Sequence, residues 1–216
     1  ERWPSYHVLV IVAEGLNAAG FDPGAIPDPL AGSEVFVREQ GETDWTAHPH
    51  IAEWMAAYAA FGAKPKRTSP SVLALIKRAG NGLPRIDPIT DLYNAISVSH
   101  MLPIGGENLA AYVSAPRLEV ARGGEPFDTM ESGQPAMDAA VPGEVIWRDD
   151  QGVTCRRWNW RQCVRTRIDS ETQTVIFLLE ALSAIPDEAL LAAGHELTAG
   201  LRRLCPGVVL GQRLLP

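Results

Sequence analysis

The sequence predicts an α+β domain, and three observations point to it. Two short apolar runs, Tyr6 to Ala13 and Thr172 to Leu182, have the length and β-branched content of buried strands. Segments running from His48 to Phe61, from Pro88 to Met101 and from Pro186 to Leu204 repeat apolar residues at helical steps. Alternation from Gly143 to Arg148 and again from Val153 to Trp160, about a turn at Asp149-Asp150-Gln151-Gly152, reads as a β-hairpin. The 216 residues suit one domain that folds unaided.

In chain order, the first strand closes at Glu14-Gly15. From Asn17 to Thr46 the text is rich in Gly, Pro and acids, so mostly loop is expected. One strand-like piece interrupts it, Glu34 to Arg38, where Val35 and Val37 alternate with Glu34 and Phe36. The next stripe is helical: Ile51, Trp54, Met55, Tyr58 and Phe61. Ser69 then stands where a cap is wanted and Pro70 opens a second helix through Val72, Leu75 and Ile76, closed by Asn81-Gly82. Asp87-Pro88 precedes a third, with Ile89, Leu92, Ala95 and Ile96 on one side, ended by Pro103 and Gly105-Gly106. Between Leu109 and Pro142 a short strand at Arg117 to Ala121 is expected among Gly- and Pro-rich loops. In the hairpin, Thr154, Arg156, Trp158 and Trp160 fall on one face and Val153, Cys155, Arg157 and Asn159 on the other. Pro186 opens the terminal helix, with Asp187 and Glu188 in its first turn and Leu190, Leu197, Leu201 and Leu204 along one side.

Composition narrows the function. With 46% apolar and 21% charged residues, disorder and collagen-like repeats are disfavoured. No apolar run approaches the roughly 18 residues that span a bilayer. Cys155, Cys163 and Cys205 are an odd number without C-x-x-C spacing, so neither a disulfide framework nor a zinc cage is indicated, and a reducing cytoplasm is the expected compartment. Nothing near Glu1 has the basic flank and cleavage site of an export signal. The net charge of −7 argues against coating nucleic acid by bulk electrostatics. Its distribution says more: the first fifty residues hold eight acids against Arg2 and Arg38, whereas Cys155 to Ile168 carries five arginines and no acid. That segment leaves room for a phosphate-bearing partner.

The order Phe61-Gly62, Lys66-Arg67-Thr68-Ser69-Pro70-Ser71-Val72, then Leu83-Pro84-Arg85-Ile86-Asp87-Pro88-Ile89-Thr90-Asp91-Leu92-Tyr93-Asn94 resembles the B3/B4 editing domain of the phenylalanyl-tRNA synthetase β subunit. The run Cys155-Arg156-Arg157-Trp158-Asn159-Trp160-Arg161-Gln162, followed by Thr172 to Leu182, resembles the freestanding members of that family. The likeness covers about residues 50 to 185. It implies a sandwich-like β core with helices on one side, no cofactor, and hydrolysis of an amino acid wrongly esterified to the 3′ end of tRNA. Association with a synthetase is a further implication. The family's helical asparagine matches Asn94 and its strand acid matches Glu180. Departures are informative: Tyr93 stands where many synthetases have threonine, Gly105 aligns with a histidine, and bulky residues from Asn159 to Gln162 fall near family glycines. These leave the accepted amino acid open.

Glu180 lies among Val175, Ile176, Phe177, Leu178, Leu179 and Leu182, where an ionised carboxylate is costly unless paired. It suits a substrate ammonium or a polarised water; structurally, it suits an arginine such as Arg157. Asn94 donates and accepts at once, fit to hold a carbonyl or a water, or simply to face solvent on its helix. Gly105 and Gly106 offer backbone N–H groups to an oxyanion, or mark a turn. Tyr93, Asn159, Trp160 and Gln162 complete the candidate substrate site. Trp158 and Trp160 suit stacking of a terminal adenine or packing of a core. Arg156, Arg161, Arg165 and Arg167 are the candidate tRNA contacts, or a solvated surface. His48-x-His50 lacks a companion acid or cysteine cluster and reads as a solvated helix entrance, not a metal site. No P-loop, G-x-G-x-x-G or G-x-S-x-G motif occurs. The competing reading is a noncatalytic module that binds an amino acid, a nucleotide or a synthetase; a hydrolase of free aminoacyl esters is a third.

Overall fold

The computed structural model describes residues 3–21, 24–64 and 67–216, so Lys66 of the motif and Glu1, Arg2 and Asp22 of the acidic segment lie outside the described residues. Ten strands and five α-helices are described: β1 (His7–Glu14), α1 (Pro29–Glu39), α2 (Pro49–Ala60), α3 (Ser71–Ala79), α4 (Pro88–His100), β2 (Ile104–Asn108), β3 (Arg117–Val120), β4 (Pro126–Glu131), β5 (Gln134–Ala139), β6 (Val145–Arg148), β7 (Val153–Arg156), β8 (Arg161–Gln162), β9 (Thr174–Ala181), α5 (Asp187–Leu204) and β10 (Val209–Leu215). The strands form an antiparallel sheet in the order β10-β1-β9-β2, a second in the order β3-β6-β7-β8, and a ribbon of β4 and β5. The architecture is mixed α+β with antiparallel sheets and no closed barrel.

Alternation along β1 and β9 divides the molecule, because successive side chains of a strand point to opposite faces. Leu9, Ile11, Phe177 and Leu179 face α4 and α5, meeting Leu92, Ile96, Leu197 and Leu201. Gly194 lets α5 approach this face closely, since a Cβ there would run into Leu9. Val8, Ile176 and Leu178 face the other way, against Trp54 and Tyr58 of α2 and against Val145, Trp147 and Cys155 of the second sheet. Glu180 shares this second parity, so the fold turns it toward the space between the two sheets. A third cluster joins α1, α3 and α4 through Leu30, Val37, Val72, Ile76, Ala95 and Val98.

Several expectations are corrected. Residues 29 to 39 are a helix, not a loop with a strand-like piece: the buried positions Leu30, Ser33, Glu34 and Val37 are helically spaced, and two of them are polar. Glu34 is tolerated there because Arg85 and the Leu83 N–H bind its carboxylate. The β4–β5 ribbon replaces expected loops, and β10 adds an unexpected edge strand to the first sheet. The N-cap of α3 is Pro70 rather than Ser69, and its C-cap is Gly80. The second hairpin strand stops at Arg156, because Arg157 (φ 48°) and Trp158 (φ 67°) turn left-handed and break the alternation.

His48 is the N-cap residue of α2, and His50 is wholly buried instead of solvated. Its Nδ1 faces the Met101 carbonyl at 2.8 Å, while its Nε2 accepts from the Trp54 indole and the Leu182 N–H. Burial pushes the ring down to about 4 from its ordinary 6.5. Between these values the unfolded chain holds a proton that the folded chain refuses, so the stabilising contribution of His50 is complete above 6.5 and declines as pH falls toward 4. The stability advantage of wild type over His50→Gln is expected to shrink by about 3 kcal/mol across that window, read from denaturant midpoints at each pH.

Candidate functional site

A cavity of about 470 Å³ opens where α3 and α4 meet the edge of β2 and the turn after β7. Glu180, Asn94, Tyr93, Gly105, Gly106, Asn159, Trp160, Gln162, Arg161 and Arg167 all line it. These come from four separated stretches of chain.

Glu180 is 2% exposed. Its Oε1 accepts from the Tyr6 hydroxyl at 2.9 Å and the Trp147 indole at 3.0 Å, and its Oε2 accepts from the Asn159 amide at 3.1 Å. All three donors are neutral. Arg157, the structural alternative, instead stacks its guanidinium on Trp160 at 4.5 Å. Burial raises the Glu180 carboxyl to about 7, and the hydrogen bonds from Trp147, Tyr6 and Asn159 oppose but do not cancel that rise. The result is a carboxylate with spare acceptor capacity on Oε2 and no cation bonded to it among the described residues.

Asn159 is the link that holds it. Its Oδ1 accepts from Tyr58 at 2.8 Å and from the Ser71 N–H at the start of α3 at 3.4 Å, which fixes the amide with its nitrogen toward Glu180. The left-handed pair Arg157 and Trp158 places it there, while driving Trp158 into the core against Trp54 with ring centroids 5.0 Å apart. Two consecutive non-glycine residues in this conformation carry a cost of about 1 to 2 kcal/mol each, so surrounding packing must hold the turn.

The β2 edge supplies backbone donors unequally. In an antiparallel ladder, N–H and C=O groups of alternate residues face opposite sides. Pro103 O accepts from Glu180 N on the β9 side, whereas Asn108 N and Gly106 O bond Thr166 O and the Gln162 side chain on the other. Gly106 therefore turns its N–H to the open edge, and Gly105, in register with Leu178, turns its own inward. A side chain at Gly106 would strike Tyr93 at 2.9 Å and Phe177 at 3.1 Å. Tyr93 itself is buried edge-on against Phe177, and Asn94 is half-buried on the cavity wall with no hydrogen bond to its amide from the described residues.

Arg156 and Arg165 are placed elsewhere. Arg156 forks onto Glu144 at 2.6 and 2.8 Å and reaches Asp138 at 2.7 Å, its side chain 4% exposed. Arg165 forks onto Asp149 at 2.9 and 3.0 Å and donates to the Ala111 carbonyl. Both guanidiniums are consumed internally, so neither is retained as an RNA contact. Tyr6, Tyr58, Trp147, Ser71 and Arg78 were not singled out from sequence, although Ser71, Ala74 and Arg78 carry a helical spacing that puts them on one wall. Cys155 also lines the cavity, but burial pushes its thiol up and disfavours a thiolate nucleophile. Among the described residues no three His, Cys, Asp or Glu side chains gather to hold a metal ion. Nor is any described helix long and apolar enough to cross a membrane.

A mixed α+β core thus holds an acid-floored cavity between a sheet edge and the helices. The chain belongs to the B3/4 domain family, whose model matches residues 53–190. No curated protein matches the chain.

Proposed function

We propose that this protein hydrolyses the ester joining an incorrect amino acid to the 3′-terminal ribose of tRNA, acting on the charged tRNA after its release from the synthetase. The observation that carries the reading is the meeting, in one cavity, of a buried carboxylate and an amide, with no cation bonded to the first and no hydrogen bond to the second among the described residues, beside a backbone N–H on an open strand edge. Membership of the B3/4 family supports it.

In this mechanism ionised Glu180 receives the amino acid's ammonium at Oε2. Asn94 orients the attacking water against the ester carbonyl. The Gly106 N–H donates to the oxygen on which negative charge develops, a role that needs a fixed donor and no charged side chain. Water adds to the acyl carbon, the acyl–oxygen bond breaks, and the ribose oxygen leaves with a proton passed from the attacking water. The neighbouring ribose hydroxyl relays that proton, consistent with a mechanism that uses no His or Cys base.

Incubation with a panel of misacylated tRNAs tests the proposal. Loss of ester from at least one of them is expected, with Asn94→Ala slower by roughly 100-fold or more. Ester left intact across the whole panel would favour the noncatalytic binding module, and cleavage of free aminoacyl esters without cleavage of aminoacyl-tRNA would favour the small-ester hydrolase.

A further inference from the structure

The two margins of the first sheet are finished differently. Along β2, the Asn108 N–H and the Gly106 C=O are taken by Thr166 and Gln162. Along β10, no described residue bonds the outer side. The direction of each backbone group follows from the ladder. Glu180 N–H bonds Pro103 on the β2 side, so Val175, Phe177 and Leu179 turn their groups toward β1. Their partners Ala13, Ile11 and Leu9 face β9, which leaves Val8, Val10, Val12 and Glu14 to bond β10 at Leu215, Arg213, Gly211 and Val209. Leu210, Gln212 and Leu214 therefore present both N–H and C=O outward. β10 also carries none of the devices that blunt an edge. The strand Val209–Leu215 has no proline and no lysine, its register with β1 is unbroken, and Val209 is 63% exposed.

We infer that β10 is the interface for a second copy of this chain, the two edges pairing antiparallel about a twofold axis at Gln212. The strand is complementary to itself in this register. Gln212 meets Gln212 of the second copy and Leu210 meets its Leu214, so every outward N–H and C=O on both strands is bonded. Sliding by two residues either way leaves an outward residue of each strand without a strand partner, and one of those slips sets Arg213 against its own copy. In the twofold register Arg213, the one charged side chain of the strand, lies opposite Gly211 instead. On that face the exposed Val209 meets Leu215. On the other face Leu210 and Leu214, half-buried against the core beneath α5, are joined by the same pair of the second copy along a cavity of about 300 Å³ between α5 and β10. The union makes one continuous sheet with both β2 margins, and so both candidate sites, at its far ends. It is independent of what those sites do.

Sedimentation across the micromolar range tests the pairing. Wild type is expected at twice the chain mass, falling to the chain mass on dilution. Gln212→Pro removes an outward N–H and no bond to β1, so it is expected to weaken association by about tenfold or more with the denaturation midpoint unchanged. Cross-linking then reads the register, because opposed residues of a hydrogen-bonded pair have Cα atoms about 5.5 Å apart, within disulfide reach. Gln212→Cys is expected to link to its own copy under mild oxidation, whereas Gly211→Cys, opposed to Arg213, is not; the three native cysteines are buried. A monomer at every concentration, a dimer indifferent to Gln212→Pro, or the absence of a Gln212→Cys cross-link each overturns the inference. Hydrolysis of misacylated tRNA is expected to be the same in Gln212→Pro as in wild type, so the two proposals stand or fall separately.

Discussion

Glu180→Gln is expected to lower the deacylation rate about 100-fold, because truncating the charge that meets a buried ammonium removes several kcal/mol of interaction. The same variant carries a second readout that is independent of any substrate. Burial raises the carboxyl to about 7 from an ordinary 4.5, so across that interval the folded chain keeps a proton that the unfolded chain releases. The stabilising contribution is complete below 4.5 and disappears as pH climbs through 7, a change of about 3 kcal/mol. Glutamine has no such proton, so the variant is expected to gain on wild type by that amount between pH 4.5 and 7. Denaturant midpoints at the two ends measure it. Equal midpoint differences at both ends would mean that the carboxyl titrates normally. Activity has the opposite sense: in the proposed mechanism the ionised form binds the ammonium, so turnover is expected to rise as pH increases through 7.

Arg156→Leu is expected to destabilise the fold by about 3 to 5 kcal/mol, since it strands Glu144, 1% exposed, without its guanidinium. Replacing Glu144 by Leu as well should recover only part of the loss, because the Arg157 N–H and the Val141 N–H also bond that carboxylate and would be left without it. A chemical denaturation series on the two variants decides the matter. A loss below about 1 kcal/mol for the single variant would show the fork to be dispensable.

Much of the frame was legible in the sequence, but not the wiring. β1, β9 and helices α2, α4 and α5 were legible because their apolar spacing is unbroken. α1 was not, since Ser33 and Glu34 occupy buried positions and are acceptable there only through distant partners, Ser33 donating to the Ala95 carbonyl and Glu34 binding Arg85, 51 residues on. β5 and β10 expose most of their side chains, so their pairing with β4 and β1 rests on backbone hydrogen bonds that leave no hydropathic trace. In the candidate site, Glu180 was conspicuous as an acid in an apolar strand. Its holders Tyr6 and Trp147 were hidden by distance in the chain; Asn159 was read as a substrate contact, and the left-handed turn that aims it at Glu180 contains no glycine to announce that role. The arginine run illustrates the same limit: its five cations are divided by the fold between internal forks at Arg156 and Arg165, a stack of Arg157 on Trp160, and the cavity lining at Arg161 and Arg167.

Placement of the two working edges within the first sheet carries a mechanical consequence. Glu180 sits on β9, clasped by strands on both flanks, whereas Gly106 belongs to β2, which is clasped on one flank only. Local opening begins at sheet margins, so amide exchange at Gly106 should be far quicker than at Glu180. Under the proposed mechanism, a mild loosening of the margin would then leave the amino acid gripped while the bond beneath it stays uncut, a trap in place of a hydrolase.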